Sequence, residues 1–125
     1  MIKFKPLSIF TAVLALILFL SLLFLPEPIF FIFQIPEADS AFFIARRAAM
    51  LFLGIAVLCW LGRGAPNSPL RQSVCMGLAV AMLGLACLGA FEYLRGFAGA
   101  GIGLAVITEA IIGAAYLKIW FANRG

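Results

Sequence analysis

The sequence predicts an all-α membrane protein, a bundle of four transmembrane helices, on two observations. Hydrophobic residues make up 66% of the chain and charged residues only 11%, whereas a soluble domain is about half apolar and about a quarter charged. Such a chain has too few polar residues to cover a globule in water, so its solvent must be lipid. The apolar residues also form four stretches, each near the ~20 residues that cross a bilayer.

One domain covers residues 1–125, and its four helices are predicted at about residues 7–25, 41–61, 69–94 and 102–121. The first helix follows Lys3 and Lys5, as the core of a secretory signal does. Its apolar run is longer than the usual ~7–15 residues, and no small-residue cleavage site follows it. We therefore expect a permanent membrane helix.

The segment between the first two membrane helices is apolar but short. Residues 29–35 lie between Pro26 and Pro36, and seven residues cannot cross the hydrocarbon layer. We expect this segment to lie flat at the outer interface or to fold back against the bundle. Asp39 or Ser40 is then expected to cap the second membrane helix.

The third and fourth membrane helices are rich in small residues. Ser68 and Pro69, at the end of a turn-forming run, are typical of a helix start, with the serine as cap. Two stripes then follow helical spacing: Gly77, Ala81, Gly84, Leu88 and Glu92 on the third membrane helix, and Gly101, Ala105, Glu109 and Gly113 on the fourth. We expect the stripes to face each other, because small residues favour close helix packing in lipid. The predicted helix-packing glycines are Gly54, Gly84, Gly99, Gly103 and Gly113.

The distribution of positive charge predicts the orientation. Six cations and no acid lie in the two tails and in the loop after the second membrane helix: Lys3, Lys5, Arg63, Arg71, Lys118 and Arg124. By the positive-inside rule, both termini are expected in the cytoplasm, in a multi-pass protein of the bacterial cytoplasmic (inner) membrane. The rings expected at the inner interface are those of Trp60, Tyr116 and Trp120. The cysteines, Cys59, Cys75 and Cys87, are expected to be free thiols, buried or facing inward.

Five charges fall in or beside the outer half of the predicted bundle: Arg46, Arg47, Glu92, Arg95 and Glu109. At the rise of an α-helix, the arginine pair lies about 6–8 Å inside the outer boundary and Glu109 about 10 Å inside it. A charge within the membrane is costly when it has no partner. We therefore expect Arg46 or Arg47 to be the counterion of Glu109, with Glu92 and Arg95 at the mouth of the site.

Three interpretations of this charge cluster remain open. The charges form a structural network that sets helix order, or a ligand or ion site entered from the outer face, or they reach separately towards the interface. If Glu109 has no cation partner, it is a candidate proton-coupled group of a transporter.

Composition argues against several other classes. The chain has no histidine, and its three cysteines form no CxxC pair, so we predict no metal and no cofactor. The same lack of histidine removes the base of the common serine and cysteine nucleophile schemes. The net charge of +4 is scattered among apolar runs, which does not form a surface for nucleic acid.

The run at residues 45–63 (ARRAAMLFLGIAVLCWLGR) precedes a polar turn, a glycine-rich helix and a last helix with one glutamate. This pattern, over about residues 41–121, resembles small uncharacterised bacterial inner-membrane proteins with a DoxX-like four-helix layout. The resemblance implies a compact bundle in the cytoplasmic membrane and supplies no reaction.

We therefore expect a non-enzymatic membrane accessory or binding protein. Its charge cluster either locks the bundle or holds an anionic amphiphile, such as a lipid or a quinone-like headgroup. The alternative is a small oligomeric secondary transporter with Glu109 as its coupling group, and a membrane enzyme comes third. The expected partners are the bilayer, that amphiphile, and a larger membrane complex or further copies of the chain.

Overall fold

The computed structural model describes residues 2–123, and these residues form five helices and no strand. The helices are α1 (Phe4–Phe24), α2 (Glu27–Phe33), α3 (Asp39–Leu61), α4 (Pro69–Leu94) and α5 (Ile102–Asn123). The four long helices are long and apolar enough to cross a membrane. The predicted all-α bundle with four membrane spans is confirmed. Arg124, which was counted with the predicted cytoplasmic cations, lies outside the described residues.

Each predicted end of a membrane helix lies within three residues of the observed end. The expected cap of α4 is confirmed, since the Arg71 backbone N–H donates to Ser68 Oγ at 3.2 Å and Pro69 is the first helical residue. The expected cap of α3 by Asp39 or Ser40 is wrong, because the helix already begins at Asp39, after Ala38. The Asp39 carboxylate in the first turn still interacts favourably with the helix dipole.

The short apolar segment between α1 and α3 forms α2. Pro28 in its first turn favours helix initiation at this point. The helix ends at Gln34, whose backbone is left-handed with φ of 55°. Phe30 is buried and stacks on Phe42 of α3, with ring centroids 5.1 Å apart. The segment is therefore folded back against the bundle, one of its two expected placements.

The connection between α4 and α5 passes close to the end of α2. The Gly99 N–H donates to the Phe33 carbonyl oxygen at 2.7 Å. A Cβ atom added at Gly101 would overlap the carbonyl oxygen of Ile32, and one added at Gly99 would overlap the side chain of Gln34. Gly99 was expected at a contact between membrane helices. It lies in the connection instead, where the missing side chain lets the chain approach α2.

The long helices pack as two pairs, α1 with α3 and α4 with α5, and α1 also contacts α5. The buried residues of α3 are small: Ala45, Ala49, Ala56 and Cys59. Beyond Phe4, those of α1 are also small: Ser8, Thr11, Ala12 and Ala15. Small side chains allow helix axes to approach closely in lipid. In the second pair, Gly113 of α5 lies against Leu83 of α4, whose Cγ would be 2.8 Å from an added Cβ.

The hydrophobic core lies towards the end of the bundle that carries Lys3, Lys5, Arg63, Arg71 and Lys118, which we call the basic end. The buried core residues are Phe4, Ala12, Cys59, Cys75, Leu78, Ala79, Met82, Ile112, Tyr116 and Ile119. Within the helices as described, no residue of α1 after Ala15 is buried and none of α5 before Ile112. The opposite end, which we call the α2 end, is therefore less tightly packed.

Three of the predicted helix-packing glycines do not lie at close contacts within the chain. An added Cβ at Gly54, Gly84 or Gly103 would meet nothing within 4 Å. The predicted α4 stripe is exposed at Gly77, Ala81, Gly84 and Leu88. The buried side of α4 is instead formed by Cys75, Leu78, Ala79, Met82 and Ala86. Small residues at helical spacing lie on one side of a helix. In lipid, where all sides are apolar, this spacing does not show which side packs against another helix.

We predict that Gly101→Ala destabilises the protein by about 1–3 kcal/mol, the usual cost of overpacking. The new methyl group would collide with the backbone of Ile32, which cannot move aside as a flexible side chain can. Thermal unfolding in detergent should show a clearly lower midpoint. Gly54→Ala and Gly84→Ala are matched controls, since their sites are open, and they should be at least as stable as the parent. Equal midpoints for all variants would contradict the docking of α2.

Candidate functional site

Arg46 and Arg47 lie on α3 towards the α2 end, and both are exposed. Residues next to each other in a helix are rotated by about 100°. Since Ala45 and Ala49 are buried, the two arginines lie on the exposed sides of α3. The Arg47 guanidinium lies 5.9 Å from the ring centroid of Phe43. Within residues 2–123 neither arginine has a carboxylate at ion-pair distance.

Glu109 is half-buried on α5. Residues four and seven positions further along a helix share its face, and here they are Gly113 and Tyr116, both buried. Glu109 is therefore on the side of α5 that faces the bundle. The expected ion pair with Arg46 or Arg47 is not formed among the described residues. The physical reason is the pairing of helices, since α3 packs on α1 and α5 packs on α4.

Glu92 and Arg95 contact each other at the end of α4. Arg95 Nε lies 3.9 Å from Glu92 Oε2, and the guanidinium also lies over the rings of Phe97 and Phe91, at 4.1 and 5.1 Å. An exposed pair of this kind contributes about 0–1 kcal/mol. Of the five predicted site charges, these two form the one ion pair in the described part of the chain.

Arginines at the basic end are bound by the protein itself. Arg63 lies 4.1 Å over the ring of Trp60 and donates to the carbonyl oxygen of the same residue. Arg71 lies 4.7 Å over the ring of Phe4 and donates to the Ala65 carbonyl oxygen at 3.2 Å. The two arginines of α3 have no hydrogen-bond acceptor among the described residues. They are therefore available to an anion from outside the chain.

A buried polar cluster at the basic end was not predicted from the sequence. The Tyr116 hydroxyl donates to Thr11 Oγ1 at 2.8 Å, and the Thr11 hydroxyl donates to the Leu7 carbonyl oxygen at 2.8 Å. Cys59 Sγ lies 4.0 Å from the Tyr116 oxygen, and Ser8 is 1% exposed on the same side of α1. The cluster joins α1, α3 and α5.

Tyr116 was expected to be an interface ring, but it is fully buried. One sequence signal indicates the cluster in retrospect. Ser8, Thr11, Ala12 and Ala15 follow helical spacing on an α1 that is otherwise rich in Leu, Ile and Phe. A polar, small-residue face on such a helix is suited to a partner helix with a hydroxyl group.

The described residues form grooves outside the core, and two of them bear on the site. One, of about 460 Å³, lies between α2 and the start of α5 and is lined by Phe30, Phe31, Ile32, Gln34, Ile35, Glu37 and Gly101. The other, of about 690 Å³, runs along α3 and is lined by Met50, Leu53, Gly54, Val57, Leu58, Leu61 and Gly62. The second groove is apolar along its whole length.

The cysteines are free, as the sequence predicts. Cys59 and Cys75 are buried, whereas Cys87 is exposed on α4. Cys87 was expected to be buried or to face inward, and this expectation is wrong among the described residues, because Cys87 lies on an exposed side of α4.

In comparisons with known proteins, no protein-family model, no curated protein and no solved structure matches this chain. The functional inference therefore rests on the positions of the charged residues and grooves of this chain.

We predict that Tyr116→Phe lowers the free energy of unfolding by about 1 kcal/mol, the net contribution of one hydrogen bond. The substitution keeps the buried ring and removes the bond to Thr11 that joins α5 to α1. Tyr93→Phe is the matched control, because 49% of the Tyr93 surface is exposed. Unfolding in detergent should distinguish the two variants, and equal stability of Tyr116→Phe and the parent would contradict a role for this bond.

Proposed function

We propose that this chain is a non-enzymatic integral membrane protein that binds an anionic amphiphile at Arg46 and Arg47, as a binding or accessory subunit. The observation that carries the proposal is the pair of exposed arginines on α3, which have no carboxylate partner among the described residues. Guanidinium groups bind phosphate and carboxylate through two parallel hydrogen bonds. A negatively charged headgroup would therefore supply the partner that the chain lacks.

The depth of the arginines supports a headgroup as the ligand. At 1.5 Å per residue α3 is about 34 Å long, slightly more than the ~30 Å hydrocarbon layer. With Leu61 at one boundary, Arg46 lies about 7 Å inside the other boundary. A long arginine side chain reaches the interface from this depth while its methylene groups stay in the apolar layer. Arg46 and Arg47 are thus placed to contact lipid phosphates.

We propose that both termini face the cytoplasm of a bacterium and that the arginine pair faces the outer leaflet of its inner membrane. The support is the concentration of cations at the basic end, which the positive-inside rule assigns to the cytoplasmic side. The resemblance to DoxX-like four-helix proteins agrees with this location. A larger membrane complex or further copies of the chain would then be the protein partners.

The proposal is tested by lipid retention during native mass spectrometry of the protein in detergent. The parent should retain phosphatidylglycerol, which is anionic, in preference to phosphatidylcholine. Arg46→Gln/Arg47→Gln should reduce that preference by about tenfold or more, since each hydrogen bond to a charged group contributes about 1.5–3 kcal/mol. Arg63→Gln is the control, because Arg63 is bound by Trp60. An unchanged preference in the double variant would overturn the proposal.

A second candidate function is a small oligomeric secondary transporter with Glu109 as its coupling group. The observation that favours it is a half-buried carboxyl group on the bundle-facing side of α5, without an ion-pair partner in the described residues. Carboxyl groups in this kind of position are typical of proton relays in membrane proteins. Four helices enclose little volume, so an oligomer would have to complete the pathway.

For this second candidate we predict that proteoliposomes with an imposed pH gradient show protein-dependent proton flux, and that Glu109→Gln abolishes the flux. The amide cannot release a proton at this position. Glu92→Gln is the matched control, since Glu92 lies at the helix end beside Arg95, and its flux should equal that of the parent. If the parent shows no proton flux, or if Glu109→Gln shows the full flux of the parent, the proposal of transport through Glu109 is contradicted.

A further inference from the structure

The two helix pairs, α1 with α3 and α4 with α5, are joined tightly at the basic end. There the Tyr116 hydroxyl of α5 donates to Thr11 Oγ1 of α1 at 2.8 Å, and the rings of Tyr116 and Phe4 pack edge to face with centroids 6.5 Å apart. After Ala15 on α1 and before Ile112 on α5, no described residue of these two helices is buried. The space between the pairs is therefore loosely filled in the half of the bundle that lies towards α2.

At the far end of this space, α2 contacts both helix pairs. On one side, its Phe30 ring stacks on Phe42 of α3, with ring centroids 5.1 Å apart. On the other side, the Phe33 carbonyl oxygen accepts a hydrogen bond from the Gly99 N–H, in the connection between α4 and α5, at 2.7 Å. By helical rise, Phe42 lies about 28 Å from Leu61 along α3, so α2 lies near one boundary of the ~30 Å hydrocarbon layer.

The two sides of α2 are attached in different ways. Towards α3 the contact is between two aromatic rings, and residues 34–38 join the two helices covalently. Towards the α4–α5 connection the contact is made at glycines, by the hydrogen bond of Gly99 and by the close approach of Gly101 to the Ile32 carbonyl oxygen. A groove of about 460 Å³ lies beside this second contact. Glycines carry no side chain that interlocks with α2, so α2 can leave this surface together with α3.

Glu109 faces the space that α2 closes. It is half-buried, and it shares one side of α5 with Tyr116, two helical turns away, which contacts α1 and α3. By helical rise, Glu109 lies about 12 Å from Gly101, where α2 is docked. Ile107 lies at nearly the same depth but on the opposite, exposed side of α5.

We propose that α2 is a clasp between the two helix pairs, and that its release from Gly99 and Gly101 opens the space between the pairs to water as far as Glu109. Regions with few buried contacts open locally while the rest of a protein stays folded. On release, α2 moves with α3 and the pairs separate at this end, while the hydrogen-bonded contact at the basic end holds. The clasp is independent of the proposed lipid binding, because Arg46 and Arg47 take no part in these contacts.

The test uses a cysteine at position 109 as a reporter of water. The Glu109→Cys protein in lipid nanodiscs is treated with a cationic methanethiosulfonate, which stays in water and modifies thiolates, and peptide mass spectrometry gives the rate at each cysteine. Ile107→Cys is the matched control for access from the lipid side, since Ile107 is 63% exposed. The native Cys59 and Cys75, buried in the core, report any separation of the pairs along their whole length.

Two changes in the reporter protein shift the clasp in opposite directions. Gly101→Ala places a methyl group against the Ile32 backbone and releases α2, and Gly54→Ala is its control because that site is open. A disulfide between Gln34→Cys and Gly99→Cys holds α2 docked. A Cβ added at Gly99 would lie 2.6 Å from the Gln34 Cβ, so a shift of about 1 Å gives the usual ~3.8 Å of a disulfide.

Modification of the reporter should be about tenfold faster or more in Gly101→Ala than in the reporter protein alone, the population shift expected from overpacking at the docked contact. Gly54→Ala should leave the rate unchanged. The oxidised Gln34→Cys/Gly99→Cys protein should react more slowly than its reduced form. Ile107→Cys, Cys59 and Cys75 should keep their rates in every variant.

Equal reporter rates with and without Gly101→Ala overturn the clasp. An equal gain at Ile107→Cys also overturns it, because the reagent would then arrive from the lipid side. A gain at Cys59 and Cys75 does the same, because the pairs would then separate along their whole length. If Gly101→Ala does not fold, the disulfide protein decides, and equal rates in its oxidised and reduced forms reject the clasp. Lipid retention in Arg46→Gln/Arg47→Gln bears on the proposed function alone.

Discussion

The close packing of α1 against α3 is the constraint on which the rest of this structure depends. Helices in lipid gain little from burying apolar side chains against each other, so association follows the faces where backbones can approach. On α3 that face contains Ala45, Ala49 and Ala56. Arg46 and Arg47 are adjacent to these alanines in sequence, so the helix turns them outward. The same contact leaves the opposite side of α3 open as an apolar groove.

The two ends of the bundle differ in how the described residues pack and bond. At the basic end, Tyr116 is hydrogen-bonded to Thr11, and Arg63 and Arg71 are bound by aromatic rings and carbonyl oxygens. At the α2 end, a short helix docks on a glycine connection, and the buried residues of α1 and α5 stop before this end. The α2 end, towards which Arg46 and Arg47 lie, is therefore the less tightly packed end of the described bundle.

The proposed function rests on the exposed arginines of α3, Arg46 and Arg47. Neither guanidinium group has a carboxylate partner in the described chain, so under the proposed function an anionic headgroup would supply their hydrogen-bond acceptors. Glu109 is separate from this arrangement, since it lies on the bundle side of α5 and has no cation partner in the described chain.

The sequence by itself determined the four spans and most of their ends. Backbone groups in lipid must be satisfied within a helix, so an apolar run of sufficient length dictates both structure and extent, and Ser68 and Pro69 mark where α4 begins. Only the tertiary structure decided which faces meet. It turned the Gly77–Gly84 side of α4 outward, buried Tyr116, and separated Glu109 from the arginines. In a water-soluble protein the exposed face of a helix is polar and the buried face is apolar, so the sequence shows which is which. In lipid both faces are apolar, so the spacing of residues alone does not show which face packs against a neighbour.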